Sequence, residues 1–122
     1  MAFEQDYLMR MIKEMVKSLT AVLLKKNVHD LDLDEKADIT GGDALKKLFD
    51  MADRGMINEA ENLLLEKKDW NNPWYIREAM AFYEHINEYD DEFLEEHDYT
   101  REEIADGLKA ILDYYGLAGI FD

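Results

Sequence analysis

The sequence predicts an all-α protein, a single helical bundle of five or six helices. Three observations carry that reading. Only one proline and six glycines interrupt the 122 residues. Between those interruptions the apolar residues recur at steps of three and four, the helical period, and not at every second position. The junctions hold cap and stop residues where such helices must begin and end.

The first element is a long amphipathic helix over about 4–26. Leu8, Met11, Ile12, Met15, Val16, Leu19, Val22 and Leu23 share one side, and Arg10, Lys13 and Lys17 share the other. At 1.5 Å per residue it is about 33 Å long, more than the other predicted helices could cover. Residues 27–42 read as an acidic linker that ends at Gly41-Gly42. A helical core is expected over 43–116.

That core opens with a helix over about 43–54, with Ala44, Leu45, Leu48, Met51 and Ala52 inward. Gly55 stands where a left-handed C-terminal residue is needed. A second helix follows over about 57–68, burying Ile57, Ala60, Leu63 and Leu64. So short a connection folds the pair into an antiparallel hairpin at 43–68.

Asn71-Asn72-Pro73 places an asparagine cap before a proline at the first helical position, where the missing N–H costs nothing. The next helix runs to about Glu88 with a wide apolar arc: Tyr75, Ile76, Ala79, Met80, Phe82, Tyr83 and Ile86. A short turn over Asp91 to His97 carries Phe93 and Leu94. Thr100-Arg101-Glu102-Glu103 has the spacing of a capping box. It opens a last helix over about 101–115, which buries Ile104, Leu108, Ile111, Leu112 and Tyr115 and stops at Gly116. The apolar tail, 117–122, keeps Leu117, Ile120 and Phe121.

Composition excludes several functions. With 14 Lys plus Arg against 29 Asp plus Glu, the net charge is −15. A sequence-tolerant nucleic-acid binder needs the opposite sign, because phosphates must be neutralised. No cysteine is present, so thiolate metal sites, disulfides and a cysteine nucleophile are excluded. No run of 18 apolar residues exists. The acidic start is unlike a secretory leader, and the expectation is a cytoplasmic protein.

The motifs that resemble chemistry fail on their defining residues. Asp30, Asp32 and Asp34 repeat the first half of a calcium loop. Glu35 stands where the sharp turn needs glycine, and Gly41 where the bidentate glutamate belongs. His85 and His97 lack the glutamate three residues earlier that a bundle-core metal site uses, since Phe82 and Leu94 occupy those places. His85 is read as lying on the polar face of its helix. No cofactor and no metal are expected, and no catalytic residue is assigned. Paired carboxylates are too numerous to single out a site.

Charge distribution says more. Residues 1–27 carry a net +2 and residues 28–122 a net −17. Glu84 to Asp98 contain eight acids and neither Lys nor Arg. The plain reading is a solvated, self-repelling surface. The functional one is an electronegative face for a basic partner. Candidate interaction residues are therefore Glu84, Glu88, Asp91, Glu92, Glu95 and Glu96 on that stretch. On the N-terminal stripe they are Leu8, Met11, Ile12, Met15 and Leu19. A symmetric homodimer through that stripe is the simplest way to cover a helix that overhangs its bundle. Membrane contact by the same helix is opposed by the net charge.

Two resemblances accompany these readings. Arg54-Gly-Met-Ile-Asn-Glu-Ala-Glu-Asn-Leu-Leu to Leu65 resembles the turn and second helix of one tetratricopeptide repeat, with Gly55, Ala60 and Leu64 at the family's spacing; Leu48 replaces the small residue of the preceding helix. The opening Phe3-Glu-Gln-Asp-Tyr-Leu-Met-Arg-Met-Ile, the Ile57-Asn-Glu-Ala-Glu-Asn run and Thr100-Arg-Glu-Glu-Ile with Gly107-Leu108 make the chain similar to a family of short bacterial proteins of unknown function. That resemblance implies an all-helical fold and no catalytic or binding residue. The leading functional expectation is a non-enzymatic protein–protein interaction module. The alternative is a small enzyme or ligand-binding protein whose site forms only by tertiary proximity.

Overall fold

The computed structural model describes residues 2–26 and 42–116. Its six helices are α1 (Ala2–Lys26), α2 (Gly42–Asp53), α3 (Ile57–Glu66), α4 (Pro73–Asn87), α5 (Asp91–Glu96) and α6 (Arg101–Tyr114), and no strand occurs among the described residues. The chain forms a helical bundle. α1 packs on α6 and α4, α2 on α3 and α4, and α4 on α6.

The caps explain the boundaries. Gly55 adopts φ +91° directly after α2, and its N–H donates to the Ala52 carbonyl at 2.9 Å. Only glycine enters that region without steric cost. The Asn72 side chain accepts from the Trp74 N–H at 3.0 Å, ahead of Pro73. At α6 the capping box is complete. The Glu103 N–H donates to Thr100 Oγ1 at 3.2 Å, and the Thr100 N–H donates to Glu103 Oε2 at 2.8 Å.

Three expectations need correction. Residues Asp91–Glu96 are a short helix and not a turn, because the Asp90 side chain caps it by accepting from the Phe93 N–H at 2.8 Å. α3 ends at Glu66 rather than 68: Lys67 and Lys68 close tight turns onto Leu64 and Leu65 as the chain leaves for α4. Leu63 is 37% exposed. Ile57, Ala60 and Leu64 already define the inner line of α3, and Leu63 lies about 100° away from Leu64 on the helix.

The core is one cluster. α4 supplies most of it, with Tyr75, Ile76, Ala79, Met80, Phe82, Tyr83 and Ile86 all buried. That wide arc follows from its position against α1, α2 and α6. α6 adds Ile104, Ala105, Leu108, Ile111 and Leu112, while Tyr115 packs only partly against the cluster. Tyr99 is also buried. The acidic linker, Asp30, Asp32 and Asp34 within it, and the tail from Leu117 lie outside the described residues, apart from Gly42, which opens α2.

Candidate functional site

The helical periods that build the core also leave a seam open. α1, α2 and α4 diverge around a groove of about 930 Å³. Val16, Leu45, Phe49 and Ala81 give it an apolar floor. Lys13 and Lys17 form its α1 wall, and Glu84, His85 and Glu88 its α4 wall. One ion pair crosses between the walls, with Lys13 Nζ 3.8 Å from Glu88 Oε2, while Lys17 Nζ lies 3.6 Å from Glu14 Oε1 within α1 itself.

His85 does not lie free on a polar face, as its helix position suggests. Its ring stacks on Phe49, with centroids 4.0 Å apart and planes 8° from parallel. Its Nε2 is 2.9 Å from Asp53 Oδ1. The Tyr89 hydroxyl donates to the same oxygen. That bond above all, and His85 after it, holds the Asp53 carboxyl below the usual carboxylate range. The correction has a physical origin: α2 packs across α4 and brings an aromatic ring and a carboxylate to a position that the sequence of α4 presents to solvent.

The rings continue beyond the groove. Tyr89 lies 4.5 Å from Phe93, and Phe93 lies 4.4 Å from His97, centroid to centroid. His97 Nδ1 donates to the Phe93 carbonyl at 2.7 Å. The carboxylates of this region lie outside the ladder. Glu84, Glu88, Asp91, Glu92, Glu95 and Glu96 are all exposed. These six carboxylates therefore stand in solvent along the end of α4 and along α5.

The apolar stripe of α1 is divided. Ile12, Met15 and Leu19 are fully buried, because α6 and α4 cover the inner side of α1. They are core residues, which corrects their assignment to an interaction surface. Leu8 and Met11 are half-buried, and Tyr7 is 64% exposed.

Sequence reasoning missed the residue that orders the acidic end. Arg101 is 2% exposed. Its Nη1 donates to the Asn87 carbonyl at 2.7 Å and to Asn87 Oδ1 at 2.9 Å. Its Nη2 donates to the Tyr89 carbonyl at 2.9 Å and to Asp91 Oδ1 at 2.7 Å. Asn87 Nδ2 in turn donates to the Met9 carbonyl of α1 at 3.3 Å. One signal was available. A cation in the first turn of a helix is disfavoured by the macrodipole, so Arg101 beside a capping threonine pointed to a partner elsewhere.

No group of three metal-ligating side chains occurs among the described residues, and none of the described helices is long and apolar enough to cross a membrane. Fold and site together define a small all-helical bundle with an open, charge-rimmed groove that runs into an acidic helix. The chain belongs to the family of unknown function DUF6483, whose model matches residues 2–116. No curated protein and no solved structure matches it.

Proposed function

We propose that the protein is a non-enzymatic interaction module that docks a basic, amphipathic segment of another protein. One observation carries the reading: the apolar floor of the groove adjoins the exposed carboxylates of α4 and α5. Glu84 and Glu88 line the groove itself. Glu92, Glu95 and Glu96 extend the same sign along the next helix. An apolar strip beside a charged rim is the form of a groove that receives an amphipathic helix. The lysines of the α1 wall orient the guest, whose basic side must face α4 and α5. Tyr89 and Phe93, half-buried between the carboxylates, offer ring faces to guanidinium or ammonium groups. We place this module in the cytoplasm, a reading supported by a chain with no cysteine to pair.

The test is fluorescence anisotropy with a synthetic amphipathic helix of leucine and lysine and its leucine–glutamate counterpart. The lysine peptide should bind, and its affinity should fall with added salt as the charges are screened. Glu84→Lys with Glu88→Lys should weaken it, and so should Ala21→Arg, which fills the groove from an exposed position. Equal binding of both peptides, or unchanged binding to the Ala21→Arg variant, would overturn the reading.

A further inference from the structure

α4 borders a second cleft on its other side. Tyr75, Ala79 and Tyr83 lie about half a turn of helix away from Ala81, Glu84, His85 and Glu88. They face a separate cleft of about 330 Å³ between α3, α4 and α6, within the size range of small-molecule sites.

Its walls combine two kinds of group. Trp70, Tyr75 and Tyr83 supply aromatic surface, and Glu61, Glu103 and Asp106 supply carboxylates. Glu61 is the most enclosed of the acids. Its Oε2 accepts from the Tyr83 hydroxyl at 2.7 Å, and desolvation by the surrounding helices raises its pKa. The Tyr99 hydroxyl, buried in a residue 2% exposed, approaches the same carboxylate without closing a hydrogen bond. Gly107 lets this packing happen, since a Cβ there would sit 2.4 Å from the Tyr83 ring. Trp70 is held by stacking on Tyr114, with centroids 5.5 Å apart, and by an edge contact with Tyr75.

The chain already puts a cation at this site. Lys68 is the one base in the lining, and its Nζ lies 5.4 Å from the centre of the Trp70 ring. An ammonium over an indole is a favourable pairing by the ring quadrupole, and Glu61 lines the same cleft as a partly desolvated carboxylate.

From this geometry we infer that the cleft binds a small linear alkylamine through its primary ammonium group, with Glu61 as the counter-charge and Trp70 as the ring face, in the place that the Lys68 ammonium occupies in the free protein. The alkyl chain lies along the Tyr75 and Tyr83 rings, and Asp106 at the exposed edge receives a second ammonium where the ligand has one. A primary ammonium suits the site because carboxylates accept its N–H donors, which a quaternary ammonium lacks.

The experiment is calorimetric titration of the intact protein with 1,4-diaminobutane at near-physiological salt, with tetramethylammonium as the comparison. The amine should bind saturably at one site and tetramethylammonium should not. Glu61→Gln keeps the Tyr83 hydrogen bond and the fold, and should weaken binding about tenfold, as should Trp70→Leu, the scale of a desolvated cation–π contact. Lys68→Ala removes the resident ammonium and should tighten binding. Asp43→Asn with Asp50→Asn and Glu59→Gln removes three exposed negative charges elsewhere and should leave the affinity where it was. Absence of saturable binding, preference for tetramethylammonium, an unchanged affinity in Glu61→Gln, or equal weakening by this triple variant would overturn the inference. The last result would show attraction to the net charge alone.

Discussion

The His97 ring lies against Gly55 so closely that a Cβ on Gly55 would stand 2.3 Å from both Cδ2 and Nε2 of the imidazole. The tight connection of the α2–α3 hairpin is thus also the seat of the residue that closes α5. Asn58 reinforces the junction by donating from Nδ2 to the Asp98 carbonyl at 3.2 Å.

Two costs therefore fall on Gly55→Ala. The positive φ alone disfavours alanine by about 1–2 kcal/mol, and the clash with His97 adds to it. Urea denaturation should show a lower midpoint with an unchanged slope. Adding His97→Ala should restore the part due to the clash and leave the part due to φ. A single variant as stable as the parent would show that the junction opens at no cost.

Arg101→Met should be among the most damaging single changes in α6, because the side chain is buried. It leaves the Asn87 and Tyr89 carbonyls without their donor and Asp91 without its ion pair. Leaving a buried acceptor without its donor costs about 1–3 kcal/mol, while Asp91, half exposed, can turn to water. Arg101→Lys should not restore it, because an ammonium cannot reproduce the planar fork that reaches two carbonyls and two side-chain oxygens. Thermal unfolding followed by circular dichroism checks both variants.

Thr100→Ala should cost about 1 kcal/mol, the usual value of an N-cap. Glu103→Ala should cost a similar amount through the other half of the box. The double variant should cost less than the sum, since the two bonds share one geometry. Strict additivity in a denaturation cycle would deny that they act as a box.

Acid titration should separate two carboxylates of opposite behaviour. Asp53 has a lowered pKa, so its contribution is present above its unfolded value near 3.8 and is lost as pH falls through the lower folded value. The stability difference between the parent and Asp53→Asn should therefore close in strong acid, and Tyr89→Phe should bring the loss to higher pH. Glu61 has a raised pKa. Its contribution is fully present below its unfolded value near 4.5 and is lost as pH rises through the raised folded value. Glu61→Gln should thus gain on the parent as pH rises into that range, and stability curves against pH would show it.

Local chemistry made most of the fold readable. The Thr100 box, the Asn72–Pro73 start and the Gly55 stop act within four residues of themselves, and helical period alone selected the buried side of α4. The acidic run on α4 and α5 was visible for the same reason, because exposed charge needs no partner. Tertiary packing decided the rest. The α1 stripe loses Ile12, Met15 and Leu19 to the core because α6 and α4 cross it there. His85 meets Phe49 and Asp53 only because α2 crosses α4. Arg101 reaches back 14 residues to Asn87, and Tyr83 reaches Glu61 across 22. Such contacts leave no periodic trace, since they depend on the direction in which whole helices pack and not on the spacing of residues along any one of them.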